Sequence, residues 1–263
     1  MAKDLFDSHT PTRLRTLKKP SNAYGKPSRN VSQHDFVEEL RKRFISVRNP
    51  SKAQEMAAYM RHKFVFFGIA APLRRQIQRE TIHECGFPSD VLSTSMRLYS
   101  QPEREFHLCA VDLLLDCSTK VSLHHLLPPT DDVLDHIEQL IRTNSWWDTV
   151  DFLSSRIIAR ILREKGQKAR RKILNNWIRD TELWIRRSAI LAQLHEGRKI
   201  DIQLLFSLVL LTADEAEFFI QKASGWALRE CSKTYPNEVR AFVGENAERL
   251  SALTKKEALR NIR

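Results

Sequence analysis

Glycine is scarce in this chain, with 7 residues in 263, and cysteine is scarcer, with 4. Few glycines mean few places where the backbone can turn without steric cost. Together with abundant Leu, Ala, Arg, Lys and Glu, this favours helix throughout. The cysteines (Cys85, Cys109, Cys117 and Cys231) show no C-x-x-C spacing. That excludes a zinc ribbon or a disulfide frame, and predicts buried thiols in a reducing compartment. His83, His107, His124, His125, His136 and His195 show no metal-ligand spacing beside a carboxylate, so none is assigned to chemistry. No apolar run is long enough to span a bilayer, and nothing near the N-terminus resembles a signal-peptide core. No strand is convincing. Phe64–Ile69 is the one β-like run, and it is short enough to be a packed loop.

What the chain does have is positive charge, +11 in formal terms. An anionic partner follows, most simply nucleic acid; a membrane surface fits less well, and a generic basic protein is the plain alternative. Residues 1–33 hold seven Lys/Arg against Asp4 and Asp7, with three prolines and few apolar residues. They read as a disordered basic tail ahead of a folded domain over 34–263.

From His34 the pattern is helical. Phe36, Leu40, Phe44 and Val47 recur at the period of one helix face, Asn49-Pro50-Ser51 breaks the run, and Ser51 is placed to cap the next helix. Pro72 opens another. Further helices are predicted near 89–99, 102–117, 131–142, 147–163, 167–178, 183–195, 200–211, 214–233, 236–248 and 254–262. Many short helices with brief joints suggest a solenoid. Phe106, Trp147, Trp184 and Phe219 align at separations of 41, 37 and 35 residues. Four residues beyond them stand Ala110, Asp151, Ser188 and Ala223. Three are small, as a close helix contact requires, and the other is a carboxylate. Trp147 and Asp151 share one helix face. An aromatic ring beside a carboxylate suits a cationic ligand, although a core tryptophan beside a salt-bridged aspartate is the commoner meaning of such a pair. On this alignment Trp147, Asp151, Arg187 and Trp226 line equivalent positions of neighbouring repeats. From Phe152 to Arg187 there are eleven Lys/Arg against Glu164, Asp180 and Glu182, enough to follow a duplex through its phosphates.

Several segments, in this order, resemble the AlkD-like family of DNA glycosylases, the DNA alkylation repair enzymes with HEAT-like repeats. They are Ala58-Tyr59-Met60-Arg61, the stretch Phe64 to Arg75, Glu103-Arg104-Glu105-Phe106, Trp146-Trp147-Asp148-Thr149-Val150-Asp151, Leu183 to Leu191, and Phe218 to Ala223 with Gly225 to Glu230. The resemblance runs from residue 34 to the C-terminus. It implies an all-α fold, a right-handed solenoid of HEAT-like helical repeats with a concave basic DNA-binding surface. It implies excision of N3- and N7-alkylated purines from duplex DNA without a closed base pocket. Asp151 matches the family's catalytic carboxylate. Trp147 and Trp226 match the aromatic pair that cradles the deoxyribose, and Arg187 matches the basic residue near the phosphate. Tyr59 matches a tyrosine near the DNA, and Arg229 and Lys222 are further candidates for DNA contact. Ala70 departs from the pattern, because members often carry a polar residue there. Trp146, Trp177 and Trp184 are expected in the core, Arg186 as a solvated neighbour of Arg187, and Asp148 as a first-turn charge favoured by the helix dipole. A monomer without metal or cofactor is expected, at the nucleoid in a bacterial cytoplasm or in a eukaryotic nucleus. The rivals are a non-catalytic HEAT-repeat scaffold binding DNA or protein, and a helical-repeat RNA-binding protein that fits the charge but not the Trp147–Asp151 pair.

Overall fold

The computed structural model describes residues 33–120 and 133–262. All but the last residue of the basic tail, and His124 and His125, lie outside the described residues. Helix α1 (Gln33–Ser46) is followed by α2 (Pro50–Tyr59), α3 (Ala71–Cys85), α4 (Val91–Tyr99), α5 (Arg104–Lys120) and α6 (Val133–Arg142). Next come α7 (Trp147–Phe152), a π-helical segment (Leu153–Ile158), and α8 (Ala159–Trp177), which is broken at Gly166. Then follow α9 (Leu183–Leu191), α10 (Ile202–Leu211), α11 (Phe218–Ser232), α12 (Pro236–Glu245) and α13 (Ala252–Ala258). The chain is all-α, a helical-repeat solenoid. No helix among the described residues is long and apolar enough to cross a membrane.

Two layers result. The odd-numbered helices from α3 to α13 each pack on the next odd helix, while α4, α8, α10 and α12 back them. One hydrophobic cluster runs from Phe36 to Ala258 through both layers. Stacking is what makes each pair stable, because a single pair cannot bury its apolar face alone.

Several helix starts carry side-chain caps. Asp90, Asp201 and Ser251 accept amides of the following turn, at Ser93 (2.9 Å), Leu204 (3.1 Å) and Thr254 (3.1 Å). At α2 the cap is Asn49 and not the expected Ser51: Asn49 Oδ1 accepts Lys52 N at 3.0 Å, with Pro50 in the first turn where its missing N–H costs nothing. The ends of three predicted helices move furthest, by four residues each. α9 stops at Leu191, since Gln193 turns aside to bond the backbone of Asp201. α11 starts at Phe218, because Glu215 is held by Arg186. α13 runs over Ala252–Ala258, capped by Ser251.

Phe64–Ile69 is a packed loop, as its length suggested. Its backbone is clamped by Glu105, fully buried at the start of α5: the amides of Phe67, Gly68 and Ile69 donate to its carboxyl at 3.1, 2.9 and 3.1 Å. Gly68 sits at φ 86, and a Cβ there would meet Asn49 O and lie 2.7 Å from Ala53 N, both backbone atoms of the α2 start. Gly68→Ala combines left-handed strain with that collision. We expect it to lower stability by about 2–3 kcal/mol, read from chemical denaturation at an unchanged m-value.

Candidate active site

Asn144 begins the site. Its backbone takes the left-handed region (φ 50) and its side chain donates to Tyr99 O at 2.8 Å. This turn leads into Trp146, the N-cap of α7, and Trp147, its first residue. Trp146 is buried against Trp184 and Phe219, with centroids 5.4 and 5.2 Å away, and those two rings lie 5.0 Å apart. The aromatic column of the repeat is therefore Trp146, Trp184 and Phe219. The alignment through Trp147 is one residue out: α7 begins at Trp147 as expected, but the ring in the column is that of its N-cap, Trp146. Trp147 is left half-buried, with the exposed Tyr59 edge-on at 6.2 Å. The two residues are thus brought together from α2 and α7. Trp146, Trp177 and Trp184 are core, as expected.

One turn beyond Trp147, Asp151 receives a bidentate ion pair from Arg187 of α9. Nε donates to Oδ1 and Nη2 to Oδ2, both at 2.8 Å. The remaining Nη1 donates to Phe219 O at 2.5 Å, which ties α9 to the first turn of α11. The Arg187 side chain is 3% exposed and that of Asp151 15%. Burial pushes the Asp151 carboxyl above the ordinary aspartate range, Arg187 pulls it back, and the nearby Asp148 charge adds to the rise. A carboxylate has room for about four hydrogen bonds; Arg187 uses two. Arg186 binds elsewhere, at Glu215 and the carbonyls of Asp180 and Thr181. It is paired, not solvated.

The chain leaves α7 through the π-helical turn Leu153–Ile158. Ser155 Oγ donates to Asp151 O at 2.7 Å, and Ser154 Oγ lies 2.6 Å from Val150 O and 2.7 Å from Ser188 Oγ. Such wide turns occur as insertions in helices, frequently at functional sites. Here it lets two serines bind the carbonyls of Val150 and Asp151.

Asp148 lies in the first turn of α7, as expected, and does more there than face the helix dipole. It is buried and held on both oxygens by Arg104 of α5, which is fully buried. Arg104 also donates to Asn144 O (2.7 Å), to Thr149 Oγ1 (3.0 Å) and toward His107 Nδ1 (3.0 Å). Burial and the adjacent guanidinium lower His107 to about 4. The imidazole is therefore neutral, accepting at Nδ1 and donating from Nε2 to Gln101 O at 2.8 Å. Arg104 lies in the Glu103–Phe106 segment of the resemblance, where no role attaches to it; its i,i+3 spacing to His107 is the available signal.

The other candidates lie further along. Trp226 is half-buried on α11, two turns beyond Phe219. Lys222 and Arg229 flank it, and both pair with Glu257 of α13, Lys222 at 2.7 Å. Gly225 makes that approach possible, since a Cβ there would fall 2.5 Å from Glu257 Cβ. Ala70 is exposed at the N-cap of α3 and offers no side-chain cap. Three cysteines are buried and Cys85 is partly exposed; all four are free thiols.

Comparison with known proteins adds two findings. The family model described as DNA alkylation repair enzyme matches residues 40–262. A solved structure, "Predicted DNA alkylation repair enzyme from Enterococcus faecalis", is similar to this chain at 30% identity and a TM-score of 0.70. It covers 82% of this chain and 96% of its own. No curated protein matches.

Proposed function

Since the chain belongs to the DNA alkylation repair enzyme family, we propose that it is a DNA glycosylase, hydrolysing the N-glycosidic bond of cationic N3- and N7-alkylated purines such as 3-methyladenine and 7-methylguanine in duplex DNA. The observation that carries this reading is the Asp151–Arg187 pair beneath Trp147. In an alkylated purine the base is already cationic. When its C1′–N bond breaks, the electron pair goes to the ring nitrogen and the base leaves neutral, without prior protonation. Positive charge passes to the deoxyribose, and water must add at C1′ and lose a proton.

Asp151 suits both needs. Held by Arg187, it is oriented before reaction, and its unused lone pairs face a developing cation and a water. Arg187 acts here as a positioning residue: its guanidinium is already engaged at Asp151 and Phe219 O, which leaves it little for a phosphate. Trp147 and Tyr59 offer an aromatic wall for the sugar and strand. Trp226, Lys222 and Arg229 extend this surface along α11, which we read as part of a basic duplex-binding face.

The non-catalytic scaffold has one observation in its favour. Similar ion pairs link other neighbouring helices: Arg74 with Asp112 (2.8 Å), Arg104 with Asp148, and Lys222 and Arg229 with Glu257. Release of 7-methylguanine from methylated duplex DNA separates the two readings. Release supports the glycosylase; tight binding with no release of 7-methylguanine or 3-methyladenine supports the scaffold.

The same assay gives a pH test. Asp151 must be charged to act, and burial raises its pKa, so acidification removes activity earlier than it would for an exposed aspartate at about 3.9. Single-turnover release, corrected for spontaneous depurination, should fall through a midpoint above that value. A flat acid limb down to pH 4 would remove the carboxylate from the rate-limiting step.

A further inference from the structure

Helix α2 ends at Tyr59, and the chain reverses through Met60, Arg61, His62 and Lys63. The His62 amide donates to Ala57 O at 2.7 Å and the Arg61 amide to Ala58 O at 3.0 Å. This pair of bonds defines a Schellman helix end, whose left-handed residue is usually glycine. Here two successive residues with side chains occupy left-handed backbone, Arg61 and His62, both at φ 55. A Cβ in that region crowds its own carbonyl, so both positions are strained, and glycine would keep the turn while relieving them. Backbone strain that a fold could shed, yet holds, points to work done by the side chains.

Those side chains are basic and outward. Arg61, His62 and Lys63 are exposed, and among the described residues none forms an ion pair. Arg74, Arg104, Arg187, Lys222 and Arg229, by contrast, are all engaged by carboxylates. The turn also stands beside the candidate site. Tyr59, at its root, is edge-on to Trp147, and Lys63 Nζ lies 5.1 Å from the centre of the Trp146 ring. It borders a concavity of about 390 Å³ walled by Phe64 and the exposed Val65.

We propose that the turn Arg61–Lys63 is a phosphate grip, in which Arg61 and Lys63 bind backbone phosphates of duplex DNA and hold one strand against Tyr59 and Trp147. It deepens the glycosylase reading by assigning contacts for the duplex on the α2 side of the lesion, and rests on that reading for its ligand. Phosphate contacts of this type position a duplex without reading sequence.

The test uses the full chain and a short undamaged duplex, titrated over a salt series. Arg61→Gly and Lys63→Gln should each reduce the slope of log K against log salt by about 0.9, while Arg61→Lys retains it. Arg61→Gly should melt no lower than wild type, because it relieves strain. Unchanged slopes in both neutral variants overturn the grip, as does an Arg61→Gly variant that melts well below wild type with its slope intact. Base release by wild type from methylated duplex is measured alongside. Slopes that fall without any release leave the grip standing and sink the glycosylase reading; release with unchanged slopes does the reverse.

Discussion

Asp151→Asn should reduce release of 7-methylguanine by about 10²-fold or more, the scale on which one preorganised electrostatic group acts in a water-poor site, and should leave duplex binding nearly unchanged. The substitution is close to isosteric, so Trp147 and Tyr59 keep their places. What changes is charge. The amide cannot balance an oxocarbenium-like sugar, and its NH2 group faces an Arg187 N–H where an oxygen stood. Arg187 is 3% exposed and loses its counter-charge, so stability falls too, on the scale of about 3–5 kcal/mol for breaking a buried pair from one side. Release must therefore be measured well below the variant's melting temperature. A folded Asp151→Asn protein that releases base at the wild-type rate would remove Asp151 from the mechanism. Lost release that returns in full on cooling would assign the pair to stability alone.

The period of Phe36, Leu40 and Phe44 and the scarcity of glycine sufficed for an all-helical chain, because helix amphipathicity is written locally. The Trp147–Asp151 face was legible for the same reason: residues four apart on a helix share a side whatever surrounds them. The pairings that complete the site were not, although Arg187 itself stood in the aligned set. Arg187 to Asp151 and Arg104 to Asp148 span 36 and 44 residues, and sequence spacing carries no geometry at that range. Beside the slip from Trp147 to Trp146 stands a local feature that composition hides, a left-handed Asn144 in the turn that leads into Trp146 and Trp147. The π-helical turn was invisible as well. Leu153–Ile158 reads as ordinary helix, and the Ser154–Ser188 contact beside it bridges 34 residues. Lys222 and Arg229 looked like free cations until Glu257 arrived from α13, through a gap that Gly225 leaves open.

Arg104 is the residue whose loss should unsettle both fold and site. It joins α5 to the turn before α7 through Asn144 O, to the first turn of α7 through Asp148 and Thr149, and to neutral His107 in its own helix. Its guanidinium also lies 3.9 Å from the centre of the Phe64 ring, in the loop clamped by Glu105. Arg104→Met keeps much of the volume and removes every one of these donors. Asp148, itself buried, is then left charged without a partner, a loss of about 3–5 kcal/mol. For a chain of this size that corresponds to a melting temperature lower by roughly 10 °C. The double variant Arg104→Met with Asp148→Leu removes the stranded charge and should regain most of that loss, since apolar replacement of both partners is often nearly neutral. Base release should not follow stability back. With Asn144 O and Thr149 no longer tied to α5, the first turn of α7 is less firmly fixed; Trp147 sits in that turn and Asp151 follows it one turn on. Thermal melts of the single and double variants, with single-turnover release at a temperature where each is fully folded, test both halves. A single variant that melts with wild type would show the pair to be energetically idle, and a double variant with wild-type release would show that α7 is positioned from the α9 side alone.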